Sequence, residues 1–236
     1  MTERSANTAV VIGGTSGLGL GIAREFSRNN VEVVVGSRTR DKVSKALSAL
    51  GKNVRGAVVD ATNDKSLTDF FKSIGPFRYL VITAAEAFAD RPLLKTSVEE
   101  FKAFADTKLW GSIRSIQAAL QAGMEPDASI ILISGAVARK GRSGAHAKAM
   151  VNGALEAFTR SLAVELGGRA RVNCISPGIF DSKGSMPPEK KDEFKRLYPT
   201  GYVGNSQDIA ELVYATAVNR FMTGSVVSID GGWTAT

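Results

Sequence analysis

Cysteine and histidine are almost missing from this sequence. Its 236 residues include 1 cysteine and 1 histidine, which excludes a disulfide framework and a zinc site built on cysteines. No apolar stretch approaches the roughly 20 residues of a membrane-spanning helix. The residues from Met1 to Ser5 offer no apolar core of an export signal. We therefore expect a cytoplasmic protein with no metal site and no membrane contact.

Acidic residues are fewer than basic ones. The sequence has 30 lysines and arginines against 23 aspartates and glutamates, a net charge of +7 at pH 7. Such an excess suits anionic ligands, which include nucleotides and nucleic acids. The basic residues are scattered and form no long run, which disfavours nucleic acid as a partner. Hydrophobic residues make up 44% and charged residues 22%, as in globular proteins, so we expect an ordered fold.

Short apolar runs alternate with helical patterns along the chain. Helical spacing is clear at 17–26, 43–50, 67–74, 150–162 and 208–219, and it is less regular in the middle of 98–120. The apolar runs are continuous, as in strands covered on both faces, and occur at 9–12, 31–35, 54–59, 79–82, 130–133, 172–175 and 226–229. This alternation predicts an α/β Rossmann fold: one domain over 1–236 with a doubly wound, seven-stranded parallel sheet.

One segment, 181–198, interrupts the alternation. It contains Pro187 and Pro188, followed by a run of mixed charges. A solvent-exposed connection would have this composition, and so would a loop or lid on the substrate side of the fold. The sequence favours the two interpretations about equally.

A glycine-rich turn follows the first predicted strand. Glycine allows positive φ and lets a backbone come close to a pyrophosphate, and a helix N-terminus supplies free N–H groups. A tight packing turn would also use glycines, but here strand, turn and helix come in the order that dinucleotide binding requires. The predicted contacts are Gly13, Thr15, Ser16, Gly17, Leu18 and Gly19.

The end of the second strand indicates which dinucleotide is bound. An acid at this place would accept a hydrogen bond from the ribose 2′-hydroxyl of NAD. The sequence instead has Ser37 and Arg38 after Gly36, and Arg38 could pair with a 2′-phosphate. A solvated loop arginine is the alternative. The absence of a carboxylate favours NADP.

At this point the sequence resembles the short-chain dehydrogenase/reductase family over essentially its whole length. The resemblance rests on the glycine spacing, on Asp60, on Ser176-Pro177-Gly178 and on the segment 223–232. It implies that Asp60 and Ala61 lie at the adenine, Ala84 and Ala85 beside the cofactor, and Pro177 and Gly178 beside the nicotinamide. Members of this family oxidise or reduce alcohols and carbonyls, so the resemblance implies a small-molecule substrate. They are often tetramers, so a homodimer or homotetramer is expected.

The resemblance is weakest at the catalytic positions. Lys148 stands where the family has its tyrosine, Asn152 where it has its lysine, and Gly135, after Ser134, where it has its reactive serine. Lys108 stands where the family has an asparagine. A lysine is therefore lost at 152 and gained at 108, while an asparagine moves the other way. The resemblance favours a swapped pair that keeps one ammonium and one amide in the cleft; the alternative is drift in an inactive relative.

The resemblance predicts an NADP-dependent oxidoreductase that acts on a small carbonyl or alcohol through a non-standard proton relay. Lys108 and Asn152 would hold cofactor and substrate, Ser134 would contact the substrate oxygen, and Lys108 or Lys148 would donate the proton. His146 is a weaker candidate for the donor.

Other interpretations stay open. The cofactor could be a bound scaffold for a non-redox step such as cyclisation, elimination or isomerisation. The chain could also be an inactive protein that senses the state of NADP. A basic group after the fifth strand could attract an anionic substrate, or it could form a solvated loop: Arg139, Lys140 and Arg142.

Overall fold

All seven predicted strands are present, and every neighbouring pair is parallel. The computed structural model describes residues 7–236. The residues from Met1 to Ser5, on which the expectation of no export signal rests, lie outside this range. The sheet order is β3-β2-β1-β4-β5-β6-β7, which confirms the doubly wound Rossmann fold. The strands are β1 (Thr8–Ile12), β2 (Glu32–Ser37), β3 (Val54–Val58), β4 (Tyr79–Ile82), β5 (Ala128–Ile133), β6 (Ala170–Pro177) and β7 (Val226–Ile229).

Helices cover both faces of this sheet. Alternate strand residues point to opposite faces, so Val10 belongs to the core cluster under α3, α5 and α6, and Val11 to the cluster under α1 and α8. Within residues 7–236, no helix is both long and apolar enough to cross a membrane. The helices are α1 (Gly17–Arg28), α2 (Arg40–Leu50), α3 (Asp64–Ile74), α4 (Val98–Ala105), α5 (Gly111–Ala122), α6 (His146–Glu165), α7 (Pro188–Leu197) and α8 (Ser206–Val218).

The irregular middle of the segment 98–120 is a π-helical turn, Asp106–Trp110, between α4 and α5. A π turn holds one residue more than an α turn, so the apolar spacing changes phase there. The helix begins at Ser97, whose side chain accepts from the N–H of Glu100 in a capping box. Lys108 lies in the π turn.

The segment 181–198 contains a helix that the sequence analysis did not predict. We took Pro187 and Pro188 as breaks in the pattern, but proline is well suited to the first turn of a helix, where its missing N–H has no partner to lose. Helix α7 buries none of its residues. The segment is tied down at both ends, by a bridge between Asp181 and Asn205 and by the buried ring of Tyr198. Its role as a lid stays a prediction.

Candidate active site

Two adjoining cavities open at the carboxyl ends of the central strands, where ligands bind in sheets of this topology. The first cavity runs along the glycine-rich turn to the end of β2. The second lies between the π turn, the end of β5 and the end of β6. Both are lined by Leu18, Thr83, Ala84, Ala85 and Ile133.

Most residues predicted to bind the cofactor line these cavities. Pro177 and Gly178 line the second cavity. Gly17 lines neither; it faces Ser182 on the other side of the turn. The remaining residues line the first cavity: Gly13, Thr15, Ser16, Leu18, Gly19, Ser37, Arg38, Asp60, Ala61, Ala84 and Ala85.

The glycines of the turn leave no room for side chains. Gly13 has a φ of +86°, and a Cβ there would lie 2.7 Å from Thr83 Oγ1 and 2.8 Å from the nitrogen of Ala84. A Cβ on Gly19 would lie 2.2 Å from the carbonyl oxygen of Gly13. The turn therefore folds tightly against the end of β4 and presents bare backbone to the cavity.

Asp60 stands at the far wall of the first cavity, after β3. Its carboxylate accepts hydrogen bonds from the N–H of Thr62 at 2.9 Å and from the Thr62 hydroxyl at 2.8 Å. The backbone hydrogen bond is the main cause that lowers the pKa of this carboxyl, and Arg38 contributes too. Asp60 is therefore an anionic, fixed acceptor.

Arg38 makes an ion pair across the mouth of the first cavity. Its Nη1 lies 2.7 Å from Oε1 of Glu86, which follows β4, and the two side chains are 52% and 42% exposed. The sequence analysis did not anticipate Glu86, because its approach to Arg38 depends on the packing of β4 beside β1. It also missed Lys42, a second cation at this end of the cavity.

The structure brings Lys108 and Asn152 together. The ammonium of Lys108 donates to Oδ1 of Asn152 at 2.6 Å and to the carbonyl oxygen of Ser134 at 3.3 Å. Burial lowers the pKa of Lys108 to about 8, with Cys174 acting against the shift and the ammonium of Lys148 acting with it. The result is a lysine in the second cavity that can exchange a proton near neutral pH.

Gly135 makes room for this pair. A Cβ at Gly135 would lie 2.7 Å from Nδ2 of Asn152, well inside contact distance. Any larger residue at 135 would push the Asn152 amide, and with it the acceptor that holds Lys108. The glycine at 135 and the asparagine at 152 therefore depend on each other.

Ser134 lines the second cavity, but its hydroxyl takes part in a buried network. It donates to Oε1 of Glu156 at 2.9 Å, and Ser176 donates to the same oxygen at 3.0 Å. Nε of Arg139 lies 3.3 Å from the other carboxylate oxygen, and Glu156 is 6% exposed. A contact between Ser134 and a substrate oxygen would require its hydroxyl to turn away from Glu156.

The basic residues after β5 divide into two groups. Arg139 is directed to Glu156 and to the hydroxyl of Ser228 at β7. Lys140 donates to the carbonyl oxygens of Trp233 at 2.9 Å and Thr236 at 2.7 Å. Because Arg139 and Lys140 are engaged in these contacts, they are not available to attract an anionic substrate.

Arg142 and Lys148 do line the second cavity, and both pair with Asp90. His146 does not line it; its ring stacks on Phe101 with centroids 5.4 Å apart. Among the residues that line the two cavities in the described part of the chain, there is no tyrosine.

Comparison with known families decides the relationship. The profile of the enoyl-(acyl carrier protein) reductase family matches residues 13–234, nearly the whole chain. The chain belongs to the short-chain dehydrogenase/reductase family.

Known short-chain dehydrogenase/reductases resemble the chain over its full length. The 3-oxoacyl-[acyl-carrier-protein] reductase FabG of Chlamydia muridarum is 31% identical over 239 residues, which cover 95% of this chain and 96% of the relative. The 3-oxoacyl-[acyl-carrier-protein] reductase of Mus musculus is 28% identical and covers 94% and 95%. A crystal structure of a small-chain dehydrogenase in complex with NADPH is 29% identical, covers 97% and 99%, and has a TM-score of 0.78.

In this short-chain dehydrogenase/reductase, the buried carboxylate of Glu156 is expected to contribute strongly to stability. Replacing Glu156 with leucine would take the carboxylate acceptor from two buried hydroxyls and the ion-pair partner from Arg139. We expect the free energy of unfolding to fall by about 3 kcal/mol or more. Urea unfolding monitored by circular dichroism measures it.

The matched control for that variant is Glu165→Leu, the same change at an exposed position of the same helix. It is expected to alter stability by about 0.5 kcal/mol or less. Equal effects of the two substitutions would show that the network around Glu156 adds nothing.

Proposed function

We propose that this short-chain dehydrogenase/reductase is an NADP(H)-dependent oxidoreductase of a small carbonyl or alcohol, with the Lys108 ammonium as proton donor. The observation that carries the proposal is the position of Lys108. Its nitrogen faces the second cavity and is held by two neutral acceptors, Asn152 and the carbonyl of Ser134. The sequence resemblance places Lys148, and no tyrosine, at the position of the family's phenol on α6, so another group has to donate the proton.

The first cavity fits a dinucleotide. Its bare backbone at Gly13 and Gly19 would approach a pyrophosphate, and the fixed carboxylate of Asp60 would accept from an adenosine group. Two cations, Arg38 and Lys42, line its far end and suit a 2′-phosphate. The NADPH complex of a relative supports the same choice. When bound, NADPH supplies the hydride.

Residues of the chain hold the proton and donate it to the substrate. Asn152 and the Ser134 carbonyl orient the Lys108 ammonium toward the cavity, and its lowered pKa makes it an acid of suitable strength near neutral pH. A substrate carbonyl oxygen would accept that proton. Apolar side chains around the cavity limit the access of water to the reacting atoms: Leu18, Ile82, Ile133, Val137, Ile179 and Phe180.

The test is an assay of NADPH absorbance in the presence of aldehydes and ketones of graded size. We expect substrate-dependent oxidation of NADPH, and reduction of NADP⁺ by the corresponding alcohols. Conversion of a substrate with no change in absorbance would contradict the proposal and favour a non-redox step. Tight NADPH binding with no turnover on any compound would favour a sensor.

Arg38 and Glu86 give a prediction about cofactor choice. Replacing Arg38 with leucine is expected to weaken NADPH binding about 10- to 100-fold, since a charged hydrogen bond to the 2′-phosphate is lost. Glu86→Gln is expected to strengthen NADPH binding about 2- to 5-fold, because it frees Arg38 from an exposed ion pair. Fluorescence titration with NADPH measures both.

NADH is the matched control ligand, because it lacks the 2′-phosphate. Its affinity should be nearly the same in the wild-type protein and in both variants. If Arg38→Leu weakened NADH and NADPH equally, Arg38 would be a structural residue of the cavity and the preference for NADP would have another cause.

We also propose that the chain forms a homo-oligomer. Three exposed apolar side chains, Val98, Trp110 and Met150, lie together on one groove beside α4 and α6. A cluster of this kind is typical of a surface that is covered by another subunit.

A further inference from the structure

We propose that the substrate carries a carboxylate, which Arg142 and Lys148 bind at the second cavity. The inference rests on the proposed function, because it names the substrate class of the same site. It begins from the charges of the cavity wall. In the described part of the chain, the charged residues that line this cavity are Lys108, Arg142 and Lys148, and all three are cationic.

One carboxylate serves two of these cations. Oδ1 of Asp90 lies 2.9 Å from the ammonium of Lys148, and Oδ2 contacts the guanidinium of Arg142. The three side chains are only 27% to 30% exposed, so water screens them incompletely. The group has an excess of one positive charge. A partly buried charge without a counter-ion is unfavourable, and a bound anion would balance it.

Unused hydrogen-bonding capacity points the same way. Nε of Arg142 is buried and has no hydrogen-bond partner. Guanidinium groups bind carboxylates with two parallel N–H donors. Asp90 accepts from Nη2 of Arg142, and the Nε donor of the same guanidinium stays unpaired. Lys108 adds a further positive charge to the same cavity, and its hydrogen bonds go to neutral oxygens.

The net charge of Arg142, Lys148 and Asp90 indicates which kind of anion they bind. A single carboxylate matches the one surplus charge at Arg142, Lys148 and Asp90, and the remaining cation of the cavity, Lys108, is left for the substrate carbonyl. Lys148 lies one helical turn before Asn152, whose Oδ1 holds the Lys108 ammonium at 2.6 Å, so few bonds separate the two ends of the substrate. The apolar side chains that line the same cavity, among them Val137, Phe180 and Trp233, suit a hydrocarbon chain. The substrate class is therefore a 2- or 3-oxo acid with an apolar side chain.

The reaction on such a substrate balances. The carbonyl carbon accepts the hydride of NADPH and forms a C–H bond while the C=O π bond breaks. The carbonyl oxygen takes the proton from the Lys108 nitrogen and becomes a hydroxyl. The products are a hydroxy acid, NADP⁺ and a neutral amine that regains its proton from water. The carboxylate is unchanged and serves only to hold the substrate.

A matched pair of substrates tests the inference: 2-oxo-4-phenylbutanoate and its ethyl ester, compared in wild type, Arg142→Gln, Lys148→Gln and the exposed control Lys95→Gln. We expect wild type to prefer the acid. We expect the ratio of kcat/KM for the acid to kcat/KM for the ester to fall about 10- to 100-fold in both Arg142→Gln and Lys148→Gln. The fall should come from a lower kcat/KM for the acid, with kcat/KM for the ester unchanged. Lys95→Gln, with the same loss of charge, should leave the ratio unchanged.

A binding experiment provides a readout apart from turnover. Calorimetric titration of the protein with NADP⁺ present should show 4-phenylbutanoate binding, with 4-phenylbutanamide binding more weakly. Asp90→Asn should tighten 4-phenylbutanoate binding, since it removes the competing carboxylate. A purely structural role for Asp90 would weaken it instead and would count against the inference.

The outcomes separate this inference from the proposed function. If wild type reduces the ester as well as the acid, the carboxylate site is wrong while the reductase function stands. If neither is reduced, yet 4-phenylbutanoate binds and Arg142→Gln weakens it, the site stands and the reductase function is wrong. If the acid and the amide bind equally in calorimetry, the carboxylate site is overturned whatever the turnover.

Discussion

Replacing Lys108 with methionine is expected to lower kcat for carbonyl reduction about 10²- to 10⁴-fold, the range typical of the loss of a general acid. Methionine keeps a flexible chain of similar length but has no proton to give. NADPH affinity should change far less, because Lys108 lines the second cavity and not the first. Lys108→Arg is the matched control for charge: it keeps the positive charge, but a guanidinium does not release its proton at these pH values.

The pH profile distinguishes an acid from a residue that only packs. With a pKa of about 8, Lys108 carries its proton below that pH and loses it above, so reduction by wild type should slow as the pH rises through about 8. The decline should vanish in Lys108→Met. Lys148→Gln should move it to higher pH, because the Lys148 ammonium lowers the pKa of Lys108. If reduction still slowed with rising pH in Lys108→Met but no longer did so in Lys148→Gln, Lys148 would be the proton donor.

Gly19→Ala is expected to abolish NADPH binding, with an affinity loss of at least about 100-fold. The added Cβ would lie 2.2 Å from the Gly13 oxygen, a distance that no contact of this kind tolerates. Gly13 is held in place, because its N–H donates to the oxygen of Gly36 at 2.9 Å and the position of a Cβ on it is only 2.7 Å from Thr83 Oγ1. The turn would have to open, and its backbone would no longer fit a pyrophosphate.

The control for that variant is Gly153→Ala, in the interior of α6. A Cβ there meets nothing within 4 Å, so the change should stabilise the helix by up to about 1 kcal/mol and leave NADPH binding intact. Fluorescence titration and thermal unfolding measure both variants. A Gly19→Ala protein that binds NADPH as wild type does would show that the turn is not the phosphate site.

The parts of the fold that sequence could predict are those determined by local pattern. The strands followed from apolar runs, because burial on both faces leaves few polar positions in them. The glycine-rich turn followed from spacing alone, and its Gly13 and Gly19 do meet backbone where a Cβ would be. Helix α7 was missed because a proline pair marks a helix start as well as a break.

The contacts of the site were harder to predict, since each joins segments far apart in sequence. Lys108 and Asn152 were paired only through the family resemblance, and the structure puts them 2.6 Å apart. Glu156 could have been noticed as an acid one helical turn after Asn152, on the buried stripe of α6. Its partners are Ser134 and Arg139 after β5 and Ser176 in β6, and they become visible only when the sheet is assembled.

The π turn at Asp106–Trp110 limits how this site can evolve by insertion or deletion. Helix α4 packs on α6 while α5 packs on α3, so the two halves of the helix present different sides to the protein. Because a π turn holds one residue more than an α turn, losing one residue from it would leave a regular α turn with α4 and α5 facing as they do now. Losing a residue from the start of α5 would instead rotate the rest of that helix by about 100° and carry Ile116 and Ala119 out of the core. Descendants of this chain can therefore lose one residue from the π turn and keep the packing of α5, but the loss would change which side chain of the turn reaches the second cavity.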